Sequence, residues 1–228
     1  LETHNFWTYQ RDKRVRRWAK DKAVPFHEMR HNGVIRGLKD RNGWAARWDR
    51  QMSSACNKAP QHIELPEHIT SDDWPDAAHL GLADDPCPEA AIGGSAEAQR
   101  LLTGFLADRG MNYRQHMSSP VTAFASCSRL SPHLAWGSLS IKQAFQASEI
   151  RRQQLAHQGD ADGFSHQMRK TYRASITSFQ SRLHWHCHFM QKLEDQPSLE
   201  WQNAHSAYDN IRGLDQDRFD RWYTGRTG

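Results

Sequence analysis

The longest helical pattern in the chain constrains its fold most. Between about Phe164 and Glu194, large apolar residues recur at intervals of three or four, a spacing that places them along one face of a single α-helix. The stripe consists of Tyr172, Ile176, Phe179, Leu183 and Met190. A helix of this length needs apolar partners along its stripe, so the pattern predicts a mainly helical domain.

The same helix has a second face that is not plainly polar. Steps of 100° per residue bring Arg182, Trp185 and Phe189 together, with Ser178 one turn earlier. Such a face either packs within a core or lines a cavity. A cavity with one arginine and two large aromatics suits a flat ring or an unstacked base. The residues alone leave both interpretations open.

Two short elements are predicted near the start of the chain. A basic helix should run from Asp12 to Lys22, with Val15, Trp18 and Ala19 on one side. The next residues, 23–29, can form a strand through alternating apolar side chains. A helix followed by a strand is the order expected of a remnant of an α/β layer.

A change of character follows a short tryptophan-containing helix. Residues 41–52 predict that helix, with Trp44 and Trp48 four residues apart and able to pack inward. From Ser53 to Gly94, five prolines and the pair Gly93-Gly94 interrupt every longer period. This composition predicts a long connector.

Three further helices are predicted after the connector. The first starts at a capping Ser95 and stops at Gly110, and the second starts at a capping Ser140 and runs to about Gly159. A last short helix is predicted for residues 217–223. The region beyond residue 94 therefore reads as entirely helical.

Composition narrows the class of protein. The net charge of +4 and a pI near 9.0 suit a phosphate-bearing partner. No apolar run approaches the length of a membrane span, so a soluble, cytoplasmic, monomeric protein is expected. The four cysteines are far apart and favour structural thiols, and His184 and His188 have a helical metal spacing without a third ligand, so no metal site is predicted.

The segment 126–134, SCSRLSPHL, is the most informative part of the chain. Ser131 suits a helix N-cap and Pro132 the first helical position. Free backbone N–H groups, serine hydroxyls and the positive end of a helix dipole can together hold a phosphate or diphosphate. An ordinary capped helix is the alternative, and the capping pattern by itself does not exclude it.

Three ordered segments make the chain resemble the photolyase/cryptochrome family. Residues 128–140, SRLSPHLAWGSLS, resemble the family's flavin-phosphate segment, residues 182–186, RLHWH, its substrate helix, and residues 222–228, WYTGRTG, the approach to its flavin motif. More loosely, residues 8–12, TYQRD, resemble the close of its antenna domain. The chain starts at Leu1 and stops within the last motif, so we expect it to be part of a longer protein.

The resemblance implies an all-helical FAD-binding domain of photolyase type, present in part, after a remnant of an α/β antenna domain and a connector. The implied boundaries are residues 1–35 for the antenna remnant, 36–94 for the connector and 95–228 for the first half of the flavin domain. It also implies light-driven electron donation from reduced FAD to a pyrimidine dimer flipped out of damaged DNA, which is the reaction of a carbon–carbon lyase. The chain alone is expected to bind FAD weakly and to be inactive.

The resemblance also assigns site residues. The residues implied to hold FAD are Tyr113, Cys127, Ser128, Arg129, Leu130, Ser131, Phe179 and Arg182. Trp185 would stack on the lesion, with Arg182 and His186 as DNA contacts. Arg182, Trp185 and Tyr208 would serve the reaction, Tyr208 in place of the outermost tryptophan of the electron-transfer chain. The antenna pigment is not implied by any residue present.

Two departures from the family pattern bear on function. Arg182 stands where well-known dimer photolyases have a glutamate that hydrogen-bonds the lesion, and His186 stands where they have an arginine. Because a guanidinium cannot accept a hydrogen bond, the lesion specificity is left open. A cryptochrome-like blue-light sensor is the first alternative function, and a cofactor-free helical nucleic-acid-binding module is the second.

Overall fold

The described part of the chain is built from helices. The computed structural model describes residues 6–30, 32–64, 68, 70, 72–83, 87–157 and 163–227, and these contain nine α-helices and no β-strand. The helices are α1 (Phe6–Asp21), α2 (Trp44–Ser53), α3 (Ser95–Gly104), α4 (Tyr113–His116), α5 (Pro120–Ser126), α6 (Ser131–Trp136), α7 (Ile141–His157), α8 (His166–Asp195) and α9 (Gln216–Tyr223). A π-helical turn, Phe105–Arg109, continues α3, and 3-10 turns lie at Pro197–Glu200 and Ser206–Tyr208.

The predicted mainly helical fold is confirmed, and the longest predicted helix is α8. All five members of its apolar stripe are buried. The predicted cap of α7 is also confirmed, because the N–H of Gln143 donates to the Ser140 hydroxyl (3.1 Å) and the Gln143 side chain accepts from the Ser140 N–H (3.0 Å). The predicted end of this helix, near Gly159, lies outside the described residues.

Two local predictions are wrong. The strand predicted at residues 23–29 is absent: residue 23 belongs to a turn and residues 24–30 are irregular coil, and no other described segment offers a partner for backbone pairing. Ser95 does not cap α3: it is the first helical residue, Gly94 precedes it, and no side chain caps the helix start. The described residues between 54 and 94 form only turns, bends and coil, and their role as an interdomain connector stays a prediction.

The predicted basic helix is present as α1, but its buried face is not the predicted one. Ala19 is buried, whereas Val15 and Trp18 are exposed. The second buried residue is Asp12, whose carboxylate is paired with Arg11 (2.8 Å) and Arg36 (3.4 Å). The ion pairs of this aspartate therefore orient α1 in place of a continuous apolar stripe.

Residues 42–187 form one compact unit. Its core contains Phe105, Ile176 and Tyr172, all fully buried, and the Tyr172 hydroxyl donates to the Phe105 carbonyl (2.6 Å). In the same unit, α2 packs on α7, with the rings of Trp48 and Phe145 5.2 Å apart. These contacts anchor the part of α8 that ends at Cys187.

Residues 1–41 and 188–228 form a second unit. Gln191 lies at its centre, accepting from the Ile35 N–H (2.6 Å) and donating to the Ile35 carbonyl (3.0 Å). Arg36 binds Glu194 (3.2 Å) close by. No helix among the described residues has the length and apolar character needed to cross a membrane.

Candidate functional site

The segment singled out in the sequence forms a short loop between α5 and α6. Residues 127–130 leave α5 after Ser126 and enter α6 at Ser131, as predicted. One detail differs: Ser131 is the first helical residue, Leu130 occupies the capping position, and no side chain caps the helix. The loop therefore leads directly into the first turn of α6, and the Ser131 hydroxyl does not cap the helix.

Arg129 adopts an unusual backbone conformation in this loop. Its φ of +62° lies in the left-handed region, which residues other than glycine seldom occupy. Its guanidinium stacks over the Phe124 ring at 3.7 Å, and the Leu130 N–H contacts the Ser128 hydroxyl at 3.4 Å. Strained conformations of this kind persist only where surrounding contacts fix them, and they occur often at ligand sites.

The loop borders a cavity of about 890 Å³. The residues lining it are Ala91, Ile92, Glu97, Arg100, Leu101, Gly104, Arg109, Tyr113, Phe124, Ala125, Cys127, Ser128, Arg129, Ser131, Pro132 and His133. Four residues of the predicted phosphate-binding segment, Cys127, Ser128, Arg129 and Ser131, line this cavity, whereas Leu130 is fully buried. We call this space the phosphate cavity, after the ligand that the sequence predicts for it. The structure therefore brings the predicted polar set together around one concave space.

Arg109 is a cavity residue that sequence reasoning missed. Its guanidinium donates to the carbonyls of Cys127 (2.8 Å) and Leu101 (2.7 Å), and it approaches that of Ser128 at 3.4 Å. Burial lowers the pKa of Arg109, and the positive charges of Arg100 and Arg129 lower it further. With its carbonyls held from one side by Arg109, the loop is fixed in position beside the cavity.

Positive charge dominates the ionisable lining of the phosphate cavity. Three arginines, Arg100, Arg109 and Arg129, face a single lining carboxylate, Glu97. Glu97 binds Arg100 at 2.6 Å, and this hydrogen bond lowers the pKa of Glu97. Burial raises the pKa of the Cys127 thiol, so the cysteine contributes no negative charge near neutral pH. The cavity therefore favours an anion.

Aromatic residues form the floor beside this cavity. Tyr113 lines the cavity, and burial raises its pKa. Phe179 is buried behind it, with ring centroids 6.0 Å from Tyr113 and 4.8 Å from Phe105. Phe179 does not line the cavity, so its predicted contact with a cofactor stays a prediction, and its direct role in this structure is to support Tyr113.

A second concave surface lies along the exposed face of α8. It encloses about 610 Å³ and is lined by Arg114, Met117, Ala174, Thr177, Ser178, Ser181, Arg182 and Trp185. Trp185 is 47% exposed, so the alternative that it is a core residue is wrong. Arg182 and Trp185 lie together as the helical spacing predicted, whereas His186 is not part of this lining. We call this surface the Trp185 groove.

The chain is similar to DNA photolyases in sequence and in fold. The family model described as the FAD binding domain of DNA photolyase matches residues 179–228. The chain is thus similar to the FAD-binding domain of DNA photolyases over these residues. A deoxyribodipyrimidine photo-lyase of Streptomyces griseus is 24% identical over 233 residues, covering 96% of this chain and 45% of the relative.

A solved structure has the same fold as this chain. The crystal structure of a class III photolyase from Agrobacterium tumefaciens matches 95% of the chain and 44% of that protein, with a TM-score of 0.65 and 18% identity. The chain thus spans less than half the length of either photolyase it was compared with.

The remaining predicted residue, Tyr208, lies in the other compact unit. Tyr208 ends a 3-10 turn, is 62% exposed, and lies 6.3 Å from the His205 ring. Its proposed electron-transfer role stays a prediction.

The two histidines with helical metal spacing have other contacts. His184 lies edge-on to Trp44 (5.0 Å) and Trp48 (4.8 Å). In its own unit, the His188 Nδ1 lies 2.9 Å from a guanidinium nitrogen of Arg41. No cluster of three or more candidate metal ligands occurs in the described ranges.

Proposed function

We propose that this chain supplies the diphosphate cradle and the lesion-facing helix of a light-driven DNA repair flavoprotein. The observation that carries the proposal is the phosphate cavity, where three arginines (Arg100, Arg109 and Arg129) and two serines (Ser128 and Ser131) line a space that contains one carboxylate. In this proposal residues 95–228 form the first half of the flavin domain, residues 36–94 the connector, and residues 1–35 the end of the antenna domain.

The lining of the cavity fits the diphosphate of FAD. Arginine forks and serine hydroxyls are the side-chain donors that phosphate oxygens accept best. Ser128, Arg129 and Ser131 would contact the diphosphate, while Arg109 would hold the loop and add positive charge. Tyr113, at the edge of the cavity, would lie by the phosphate or ribose. The flavin, when bound, would supply the light-excited electron donor for repair.

The Trp185 groove would receive the damaged base. An enzyme that acts on a base must take it out of the stack, and an aromatic side chain then replaces the lost stacking. Trp185 exposes about half of its surface, so its ring is accessible for that contact. Arg182 and Arg114 in the same groove would attract the neighbouring phosphates.

Arg182 favours a second candidate function. A guanidinium in the groove donates hydrogen bonds only, so it cannot repeat the carboxylate contact that the family uses on a pyrimidine dimer. A cryptochrome-like light sensor would keep the flavin-binding residues but would not require a hydrogen bond to a pyrimidine dimer. The residues of the phosphate cavity are compatible with either function, and the groove decides between them.

Two measurements test these proposals. A protein that carries this chain together with the remaining flavin-binding helices should show the near-ultraviolet and blue absorption bands of bound flavin, and absence of flavin would support the cofactor-free module. Illumination should then remove dimers from a dimer-containing oligonucleotide. Flavin binding without any light-dependent repair would support the sensor instead.

The chain by itself should bind FAD weakly. The proposed site encloses only one side of the cofactor, so the cost of ordering the ligand is not offset by a second wall. Titration of the 228-residue chain with FAD should therefore give no submicromolar affinity. Tight binding would contradict the idea that further helices complete the site.

A further inference from the structure

The positive charge of this protein is concentrated on α1. Its 16 residues contain six lysines and arginines and two aspartates. This surplus of four equals the formal net charge of the whole chain, +4. The remainder of the chain is therefore balanced, and α1 is the segment that gives the protein its basic character.

Four of these cations form no ion pair within the described residues, although Lys13 Nζ lies 5.1 Å from the centroid of the Tyr9 ring. Arg11 is paired with Asp12 and Arg16 with Glu28. The other four are Lys13, Arg14, Arg17 and Lys20, and all are exposed. Within the part of the chain that the structure describes, no carboxylate lies at ion-pair distance from any of them. We call these four residues the basic stripe.

The helix arranges the basic stripe as a row. At 100° per residue, Lys13, Arg17 and Lys20 lie within about 60° of one another, and Arg14 flanks them. They lie about 80° to 160° around the helix from the buried Asp12, and all four are exposed. Lys13 and Lys20 are about 10 Å apart along the helix axis, at 1.5 Å per residue. A row of this length fits a succession of phosphates better than one small anion.

The arrangement is unfavourable for the helix itself. Arg17 has like-charged neighbours at Lys13, Arg14 and Lys20, at spacings of three or four residues, where repulsion destabilises a helix. The fold gains no ion pair in return. Local conflicts of this kind are expected where a surface serves binding rather than stability.

We propose that the basic stripe binds the sugar–phosphate backbone of duplex DNA without regard to sequence. The choice of DNA rests on the proposed repair function, because such an enzyme must associate with undamaged duplex while it searches for lesions. Lysine and arginine that replace condensed counterions supply this kind of affinity. The stripe would thus be a DNA contact separate from the Trp185 groove.

An anionic membrane fits the helix less well. Membrane-surface helices carry a broad apolar face of leucine, phenylalanine or tryptophan. α1 contains no leucine or isoleucine, and its one phenylalanine, Phe6, packs against Trp201 with ring centroids 4.4 Å apart. Although Trp7 and Trp18 are exposed, the apolar surface is too sparse for stable insertion.

The test measures binding of an undamaged duplex oligonucleotide to the 228-residue chain by fluorescence anisotropy over a salt series. The stripe variant is K13Q/R14Q/R17Q/K20Q. A control variant, R47Q/R50Q/K58Q/R212Q, neutralises four other exposed cations and so reaches the same net charge. Phosphatidylserine vesicles serve as the second ligand.

The stripe variant should lose roughly tenfold or more in DNA affinity at low salt, and its log–log salt slope should fall by about 3 to 4, near 0.9 per phosphate contact. The control should change the slope little. Because repulsion in α1 is relieved, the thermal midpoint of the stripe variant should be unchanged or higher, which excludes unfolding as the cause.

Three outcomes would overturn the inference: unaltered DNA binding by the stripe variant, equal losses in both variants, or a larger loss on vesicles than on DNA. The assay uses no lesion, light or flavin. Its failure would therefore leave the repair proposal standing, and failure of repair would not change these affinities.

Discussion

Removing the Arg109 guanidinium should loosen the loop of residues 127–130 and destabilise the chain. Arg109 donates hydrogen bonds of 2.8 and 2.7 Å to the carbonyls of Cys127 and Leu101, and the contact to Ser128 at 3.4 Å is too long to add much. A hydrogen bond from a charged donor contributes about 1.5–3 kcal/mol. Because the guanidinium is only partly buried, hydrogen bonds from water can replace part of this stabilisation in the variant. Arg109→Gln should then lower the free energy of unfolding by about 2–4 kcal/mol.

Urea denaturation followed by circular dichroism measures this change. Arg109→Lys keeps the charge but not the forked geometry, so it should recover only part of the loss. Arg100→Gln is the matched control: it removes an arginine of the same cavity whose own side chain is largely exposed, so its unfolding midpoint should stay close to the wild-type value. A midpoint for Arg109→Gln no lower than that of Arg100→Gln would refute the idea that Arg109 holds the loop.

Three further substitutions test other parts of the structure. In a flavin-containing protein that carries this chain, Trp185→Ala should weaken binding of dimer-containing DNA roughly tenfold or more while leaving the flavin spectrum and undamaged-DNA affinity unchanged; parallel loss of all three would contradict the groove assignment. Hydrogen bonds from Arg152 hold the pKa of Glu149 at about 2, below the ordinary 4.5. The stabilisation is thus complete above pH 4.5 and lost as the pH falls towards 2, so urea midpoints of wild type and Glu149→Gln should converge over that range. Gly110→Ala would place a methyl group 2.7 Å from the Phe105 carbonyl oxygen. It should lower the free energy of unfolding by about 1–3 kcal/mol in the same urea assay. An unchanged free energy of unfolding would show that the backbone shifts readily to accept the methyl group.

Periodicity carried most of the fold prediction. The stripe of α8 was readable because its five apolar members all face the core, and the cap of α7 because Ser140 and Gln143 bond within one turn. Both signals are local, so the sequence contains them in full. The failures were also local patterns, but ones whose outcome depends on distant residues.

The basic helix illustrates such a failure. Val15 and Trp18 have the spacing of an apolar face, yet both are exposed, while Asp12 is buried beside Ala19 because Arg36 from another segment pairs with it. The predicted strand at residues 23–29 needed a partner strand that no described segment provides. Neither outcome could be read from the segment itself, since both are decided by tertiary pairing.

The candidate site shows the same division. The loop residues were found through a motif, and Cys127, Ser128, Arg129 and Ser131 line one cavity, while their contact with a cofactor stays a prediction. Arg109 was missed because it lies in no motif and reaches the loop from a π-helical turn. Only a weak signal for Arg109 is present in the sequence, namely an arginine at the end of an apolar helix and directly before Gly110.

The central claim is that the phosphate cavity holds the diphosphate of FAD. Backbone amide chemical shifts of the 228-residue chain, recorded during titration with ADP and with adenosine, test it most directly because they need neither the flavin ring nor the remaining helices. We expect ADP, but not adenosine, to shift the amides of residues 127–131 and the Arg109 side-chain signal. Equal shifts with both ligands, or shifts confined to α1 or the Trp185 groove, would contradict the claim.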